Sequence, residues 1–427
     1  MKLSSFLRLS SKTTNPQANP SVVYNLYSLP SFDEGRKCEV VHGSEIQSNK
    51  FVVPDKCILF NKLNVRFKRI WRINNNDPNK IASTEFLPLV VDESIVDFHY
   101  CYYLLRSDQI TDYLTGQNTN TSGSHKRIDP ENFFDIEVSL PPLDEQKRIG
   151  EVLSNLDKKI DVNTEINHYL EAMAKQLYDY WFVQFDFPDE NGNPYKSFGG
   201  KMVWNEKLKR KIPEGWYGDN ICRVAEILSG GTPSKAINSY WEGGQIPFFG
   251  PTDCDGNLFQ LKTSDYITHD GLNHCASSLF TEGTIILTAR GSIGKYVVVG
   301  TPMAMNQSCY ALHSIKEEYE YLYFLTGQLI SHLKMKGSGS VFKSIIASDI
   351  EHSYLSVGEE TIISRFCKVV KPLFEEIKLK SCQINNLQEQ RDNLLTLLMT
   401  GQVSVKQLNN DLPATFIIIR KTSQYEE

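Results

Sequence analysis

Residues 149–181 read IGEVLSNLDKKIDVNTEINHYLEAMAKQLYDYW, and residues 366–398 read FCKVVKPLFEEIKLKSCQINNLQEQRDNLLTLL. In the first stretch Ile149, Leu153, Leu156, Ile160, Asn163, Asn167, Leu170, Ala174, Leu177 and Trp181 recur at spacings of four and three, the seam of a heptad repeat. The second repeats that spacing with Phe366, Val370, Leu373, Ile377, Lys380, Ile384, Leu387, Arg391, Leu394 and Leu398. Two long helices are therefore predicted, each a rod of roughly 60 Å at about 1.5 Å per residue. Polar residues interrupt both seams near the middle, at Asn163, Asn167 and Lys380, as expected where register matters more than stability. Pro372 removes a helix hydrogen bond and is expected to kink or restart the second rod, and Gly401 is its expected stop.

Outward from the rods, each one closes a copy of a longer unit. In the first copy the apolar run Cys57-Ile58-Leu59-Phe60 leads into a basic segment at 62–72, a polar loop at 118–126, then Leu140-Pro141-Pro142 and the rod. In the second, Gly283-Thr284-Ile285-Ile286-Leu287 leads into Arg290-Gly291-Ser292-Ile293-Gly294-Lys295, a Gly/Ser loop at 336–340 and the second rod. An offset of about half the chain is too long for a solenoid repeat, so this is a duplicated domain plus helix. The remaining text consists of short β-type runs punctuated by Gly, Pro, Asn and Asp, which predicts mixed α/β (α+β) globular domains rich in loops. The expected boundaries are a first domain at 1–142, a first helix at 143–184, a Pro/Gly-rich linker at 185–215, a second domain at 216–356, a second helix at 357–401 and a tail at 402–427. If the rods pair along their seams they must be antiparallel, as a two-stranded coiled coil with one domain at each end and an approximate two-fold axis between them. The apolar residues 416–419 of the tail leave open whether it packs on the first domain or is disordered.

At 427 residues the chain is too long for one ordinary domain. Hydrophobic residues at 41%, charged at 22% and aromatic at 11% describe a soluble globular protein rather than a disordered or fibrous one. With 45 Lys and Arg against 51 Asp and Glu the net charge is -6, so any nucleic acid must be held by local patches. The nine cysteines are scattered and never form a CxxC pair, which reads as reduced thiols in a cytoplasm. The start has no apolar core of signal-peptide length and no run approaches a membrane span, so a cytoplasmic location and no membrane partner are expected.

The layout, together with Leu140-Pro141-Pro142-Leu143-Asp144-Glu145-Gln146-Lys147-Arg148-Ile149, resembles the specificity (S) subunits of Type I restriction-modification systems. Further stretches carry the resemblance: Pro194-Tyr195-Lys196-Ser197, Gly199-Gly200-Lys201-Met202-Val203-Trp204, Ile212-Pro213-Glu214-Gly215-Trp216, Ser229-Gly230-Gly231-Thr232-Pro233-Ser234, and Arg391-Asp392-Asn393-Leu394-Leu395. The resemblance implies a non-catalytic DNA reader. Each globular domain would be a target-recognition domain for one half of an asymmetric bipartite site in double-stranded DNA, and the helices would be the spacer. It also implies two methyltransferase subunits, which bind S-adenosylmethionine and modify adenine, and restriction subunits that use ATP and Mg, with no cofactor on this chain. The first domain departs from the second: in place of a Gly-Gly-Thr-Pro element it has Tyr27-Ser28-Leu29-Pro30-Ser31-Phe32-Asp33, so different half-sites are expected.

Residues 62–72 hold five cations and no acid. Cations alternating with apolar residues predict a strand with one basic face, with Lys62, Asn64, Arg66, Lys68, Arg69 and Arg72 as DNA-contact candidates; the ordinary alternative is a solvated charged face. The segment from Thr288 to Lys295 lacks the first glycine and the hydroxyl residue of a phosphate loop, and is better read as a turn presenting Arg290, Ser292 and Lys295. The Asn306 and Gln307 amides can pair with adenine edges or satisfy backbone groups. Lys126 and Arg127 in one loop, and Lys336 and Lys343 in the other, are either phosphate contacts or ordinary surface.

Enzyme readings fare poorly. No Asn-Pro-Pro-Tyr or Asp-Pro-Pro-Tyr segment for amino-methylation is present, and Pro54-Asp55 and Pro188-Asp189 lack a nearby acid-x-Lys to hold a nuclease metal. Cys254, His269, His274 and Cys275 fit no standard zinc spacing, so no metal is expected. The rival from another class is a coiled-coil scaffold joining two protein partners without touching DNA.

Overall fold

Cys57-Ile58-Leu59-Phe60 is apolar at every position because the strand it forms, Lys56–Asn61, is buried on both faces. The computed structural model describes residues 1–116, 127–336, 344–407 and 416–420. It divides into two units, Met1–Lys159 with Leu387–Glu427 and Ile160–Asn386.

In the first unit Lys56–Asn61 lies between Phe86–Val91 and Ile70–Asn74, both antiparallel to it, and Leu7–Leu9 completes a four-stranded sheet. Ile58 and Phe60 face a core shared with the helix Phe98–Arg106, while Cys57 and Leu59 face a second one with Tyr27, Trp71 and Phe86. A five-stranded sheet stands beside it, with Val23–Tyr27 and Lys80–Ala82 as its parallel pair.

The first long helix, Leu143–Tyr178, starts straight after Pro141-Pro142. Its Gln146 is buried: the side-chain oxygen accepts the Asp97 N–H at 2.9 Å and the amide donates to the Pro141 carbonyl at 2.9 Å. Ile149 and Leu153 one turn further on share a core with Leu395 and Leu398 of the second long helix, Glu360–Met399. The second helix ends at a glycine cap: Gly401 has φ of 70°, its N–H donates to the Leu398 carbonyl, and the Gln402 N–H donates to that of Leu397. Val403–Gln407 then pairs antiparallel with Phe416–Arg420, burying Val403 and Val405 in the same core. Arg148 Nε holds this hairpin by donating to the Val405 carbonyl at 3.0 Å.

The second unit repeats the double-sided strand. Ile285–Thr288 sits at the centre of a five-stranded sheet, flanked by Cys309–Ser314 and Tyr296–Val299, with Ala225–Ser229 and Phe259–Gln260 at the edges. Ile285 and Leu287 face the helix Tyr319–Lys336 and the long helices, and Ile286 faces a smaller core with Phe249 and Met305. The first long helix finishes in a π-helical turn, Asp179–Val183, whose Trp181 and Phe182 pack with Phe366. Residues 185–215, read as a linker from their composition, are folded. Phe187 stacks on both Tyr195 and Trp216, and Met202–Asn205 pairs with Arg210–Pro213 as a hairpin. Buried aromatics, rather than any periodicity, hold this segment, which is why no pattern in the sequence betrays it.

The long helices pair antiparallel within the second unit: Asn163 Nδ2 donates to Gln383 Oε1 at 3.3 Å, and Asn167 Nδ2 to Ser381 Oγ at 3.0 Å. Lys380 lies 3.4 Å from Glu376 on its own helix. Ile160, Phe366, Val370 and Ile377 are buried, whereas Leu156, Leu170, Leu177, Leu373, Ile384, Leu387 and Leu394 are half-buried. Pro372 does not restart the second helix, which runs through it from Glu360 to Met399. It lies on the exposed side, as does Lys368 four residues before it, so the carbonyl that loses its donor faces water.

Candidate nucleic-acid interface

Residues 62–72 are not the single basic strand that their alternation suggests. The chain leaves the sheet after Asn61, makes a 3-10 turn at Val65–Phe67, and re-enters as Ile70–Asn74. Asn64 and Lys68, on either side of the turn, both take left-handed backbone conformations, with φ of 53° and 44°. That breaks the two-residue period a one-faced strand requires. Val65 is buried and anchors the turn, and Asn61 braces its start by accepting the Leu63 N–H at 2.8 Å.

The cations of this segment accordingly point in different directions. Lys68 pairs with Asp108 at 2.5 Å, and Arg69 grips both carboxylate oxygens of Asp33 at 2.7 Å. Arg72 turns inward: its guanidinium lies 3.0 Å from Ser154 Oγ on the first long helix and 4.9 Å over the Tyr102 ring. Arg127 forks onto Glu85 at 2.7 and 2.9 Å, and this hydrogen bonding holds the Glu85 carboxyl below its usual range. Exposed Arg66 and half-buried Lys62 have no salt bridge among the described residues. Asn64 is half-buried on the same turn. Lys126 and Lys343 lie outside the described residues, and Lys336 is described only as the last residue of its helix.

In the second unit three loops are knitted into one rim. Thr288 Oγ1 accepts the Lys295 N–H at 3.1 Å and donates to the Lys295 carbonyl at 3.0 Å, closing the turn that carries Arg290, Ser292 and Lys295. The N–H groups of Ala289 and Arg290 both donate to the Ser308 carbonyl, at 2.8 and 3.1 Å, tying that turn to Asn306-Gln307-Ser308. Asn306 spends its side-chain oxygen on the Ser308 N–H at 2.9 Å, whereas exposed Gln307 is met by the Thr232 hydroxyl. Thr232 belongs to the Gly-Gly-Thr-Pro element, and a Cβ on Gly230 would stand 2.3 Å from the Asn306 carbonyl oxygen, so only glycine permits the approach. Arg290 and Lys295 are exposed; Lys295 Nζ reaches the Cys254 carbonyl at 3.3 Å, and Arg290 has no salt bridge among the described residues.

No cluster of three His, Cys, Asp or Glu side chains that could hold a metal occurs among the described residues. His274 instead stacks on Tyr240 with ring centres 5.2 Å apart and lies 3.1 Å from Asp270. No described helix is long and apolar enough to cross a membrane.

One constellation gave no signal in the sequence. Asp157 of the first long helix accepts the Tyr103 hydroxyl at 2.5 Å and Arg391 Nη1 of the second helix at 2.9 Å, with Arg106 at 3.9 Å. Burial works to raise the Asp157 carboxyl, but the hydrogen bonds from Tyr103 and Arg391 and the two nearby guanidiniums outweigh it and hold it below its usual value. The same burial, with the carboxylate beside it, pushes the Tyr103 hydroxyl upward. This network fastens the Phe98–Arg106 helix of the first unit to both long helices at their ends within that unit.

Residues 2–172 and 213–389 match the family described as the Type I restriction modification DNA specificity domain. Over 336 residues the chain is 26% identical to the Type I restriction enzyme MjaIX specificity subunit of Methanocaldococcus jannaschii, covering 77% of this chain and 74% of that one. Over 417 residues it is 23% identical to the Type I restriction enzyme HindI specificity subunit of Haemophilus influenzae, covering 86% and 91%. The crystal structure of the Type-I restriction-modification system S subunit from M. genitalium aligns over 93% of this chain and 95% of its own, with a TM-score of 0.53 and 14% identity, a likeness of fold.

Proposed function

This chain belongs to the Type I restriction modification DNA specificity family, and from that premise we propose how its two units divide the recognition of DNA. It is the sequence-specificity subunit of a Type I restriction-modification complex. Each unit reads one half of an asymmetric bipartite duplex site, and the paired long helices are the spacer. Two methyltransferase subunits dock on the chain and restriction subunits join them. The chain itself performs no chemistry; S-adenosylmethionine, ATP and Mg act on the partner subunits, and the complex works in the cytoplasm.

The observation that carries this reading is the pair of loop rims. On a chain of net charge -6, each unit ends a doubly buried sheet in a braced turn that leaves cations without a carboxylate: Arg66 in the first, Arg290 in the second. The rims differ in sequence and construction, which supports two different half-sites. A protein scaffold needs a rod but no such rims, and the family match gives that alternative no support.

The test is to map adenine methylation in the host genome with and without this gene, leaving the neighbouring genes intact. Loss of one bipartite motif on deletion is the expected result. An unchanged methylation map, in cells shown to express the methyltransferase subunit, would refute the reading.

A further inference from the structure

We propose that Phe67 is a wedge by which the first unit reads its half-site, its ring entering the base stack at one step of the duplex. The inference rests on the reading that the turn at 62–72 faces DNA. Phe67 is 62% exposed; among the described residues, Phe198 is the only other phenylalanine that stands among the exposed large apolar side chains. The exposure is built in rather than incidental. Val65, two residues earlier, is buried in the core with Phe60 and Ile70, and the left-handed conformations of Asn64 and Lys68 turn the chain outward on both sides. Lys68 is pinned by Asp108. Arg69, fixed on both oxygens of Asp33, carries its guanidinium 4.8 Å over the Phe67 ring.

One face of the ring is thus covered by a guanidinium held on Asp33, and the side chain remains largely exposed. Arg66, next in the chain, is exposed and free of salt bridges among the described residues. A flat apolar ring beside an unpaired cation has the chemistry that a kinked base step requires: Arg66 holds a phosphate while the ring replaces part of the lost base stacking. The rim of the second unit presents Arg290, Lys295 and Gln307 instead, so the two half-sites are read by different means.

The experiment uses the full chain assembled with its methyltransferase subunits and a duplex bearing the site found by methylation mapping. 2-Aminopurine, which brightens when unstacked, replaces the adenines in and beside the first unit's half-site one at a time. The adenine that the methyltransferase subunit flips out for modification should brighten with every chain; with the native chain, and with Phe67→Tyr, one further position should brighten. Phe67→Ala should leave it dark and weaken binding about ten-fold, the order of one lost aromatic–base stack, while the dependence on salt stays the same. The proposal is overturned if Phe67→Ala keeps both affinity and brightening at that further position, or if no position besides the flipped adenine brightens with the native chain. Arg66→Ala separates the two levels. If it weakens binding while Phe67→Ala does not, the wedge falls and the DNA-facing turn stands; if neither has an effect, both fall. Phe67 is exposed, so equal melting temperatures for the native and alanine chains are expected and exclude misfolding.

Discussion

Replacing Asp157 by leucine should loosen the helix Phe98–Arg106 from the long helices. Asp157 is 14% exposed, accepts from Tyr103 and Arg391, and faces the Arg106 guanidinium at 3.9 Å. Removing one partner of a buried ion pair costs about 3–5 kcal/mol because the other charge is stranded. Here each cation keeps a second contact, Arg391 with Asp392 at 2.8 Å and Arg106 with the Tyr102 hydroxyl at 2.9 Å. The expected loss is therefore near the lower end, about 3 kcal/mol. Arg391→Met should cost less, about 1.5–2 kcal/mol, since Asp157 keeps Tyr103 and Arg106 and only one charge-assisted hydrogen bond goes. Native-state hydrogen exchange on the amides of Phe98–Arg106 reads this unit alone, and 3 kcal/mol corresponds to exchange faster by about two orders of magnitude. The sign with pH also follows. A carboxyl held below its ordinary value contributes stability above that value, near 3.9, and the contribution is lost as pH falls through the folded value. Native amides should thus lose protection in that acid window, and the Asp157→Leu chain should lack this component. Unchanged exchange in the leucine variant, or a larger effect from Arg391→Met, would refute the reasoning.

Three further outcomes are expected. If Arg66 meets a phosphate, Arg66→Ala should make the fall of log affinity with log salt shallower by about 0.9, whereas Arg69→Ala, which cuts a bond to Asp33, should leave the slope alone and lower the melting temperature; anisotropy titrations at several salt concentrations and thermal melts decide this. Gly230→Ala should destabilise the second unit by about 1–3 kcal/mol, because its methyl group meets the Asn306 carbonyl, and denaturant midpoints measure the loss. Arg148→Met should free the hairpin of Val403–Gln407, seen as faster proteolysis beyond Gly401 with the remainder of the chain intact.

The long helices and the doubly buried strands are legible in the sequence because each is a local pattern: a period of seven, or an unbroken apolar run bounded by turns. The Gly-Gly-Thr-Pro element is legible as a motif, but its purpose, close passage beside Asn306, is not, because the two stretches lie far apart in the chain. The basic segment shows the limit most clearly. Its five cations look equivalent in one dimension, yet Asp33 and Asp108, each more than thirty residues away, claim two of them, and Arg72 turns inward. Ion pairing across such separations follows from how the sheets and helices pack, and neither charge counting nor alternation carries that information. The folded segment at 185–215 escaped for a related reason: aromatic stacking among Phe187, Tyr195 and Trp216 has no period.

The first unit draws on residues 1–159 and again on residues 387 onward, with Leu395, Leu398, Val403 and Val405 completing the core around Ile149 and Leu153. On the ribosome this means that the unit begun first is finished last. After Leu153 has emerged, about 240 residues must be made before its partners appear, a wait of roughly 12–50 s at about 5–20 residues per second. Throughout that interval Asp157 also lacks Arg391, so the nascent first unit carries an open apolar seam beside a half-satisfied charge. The second unit, continuous from Ile160 to Asn386, has no such gap and can close as it is made. Order of synthesis and order of completion are thereby reversed in this chain, and the vulnerable species during its production is the waiting first unit.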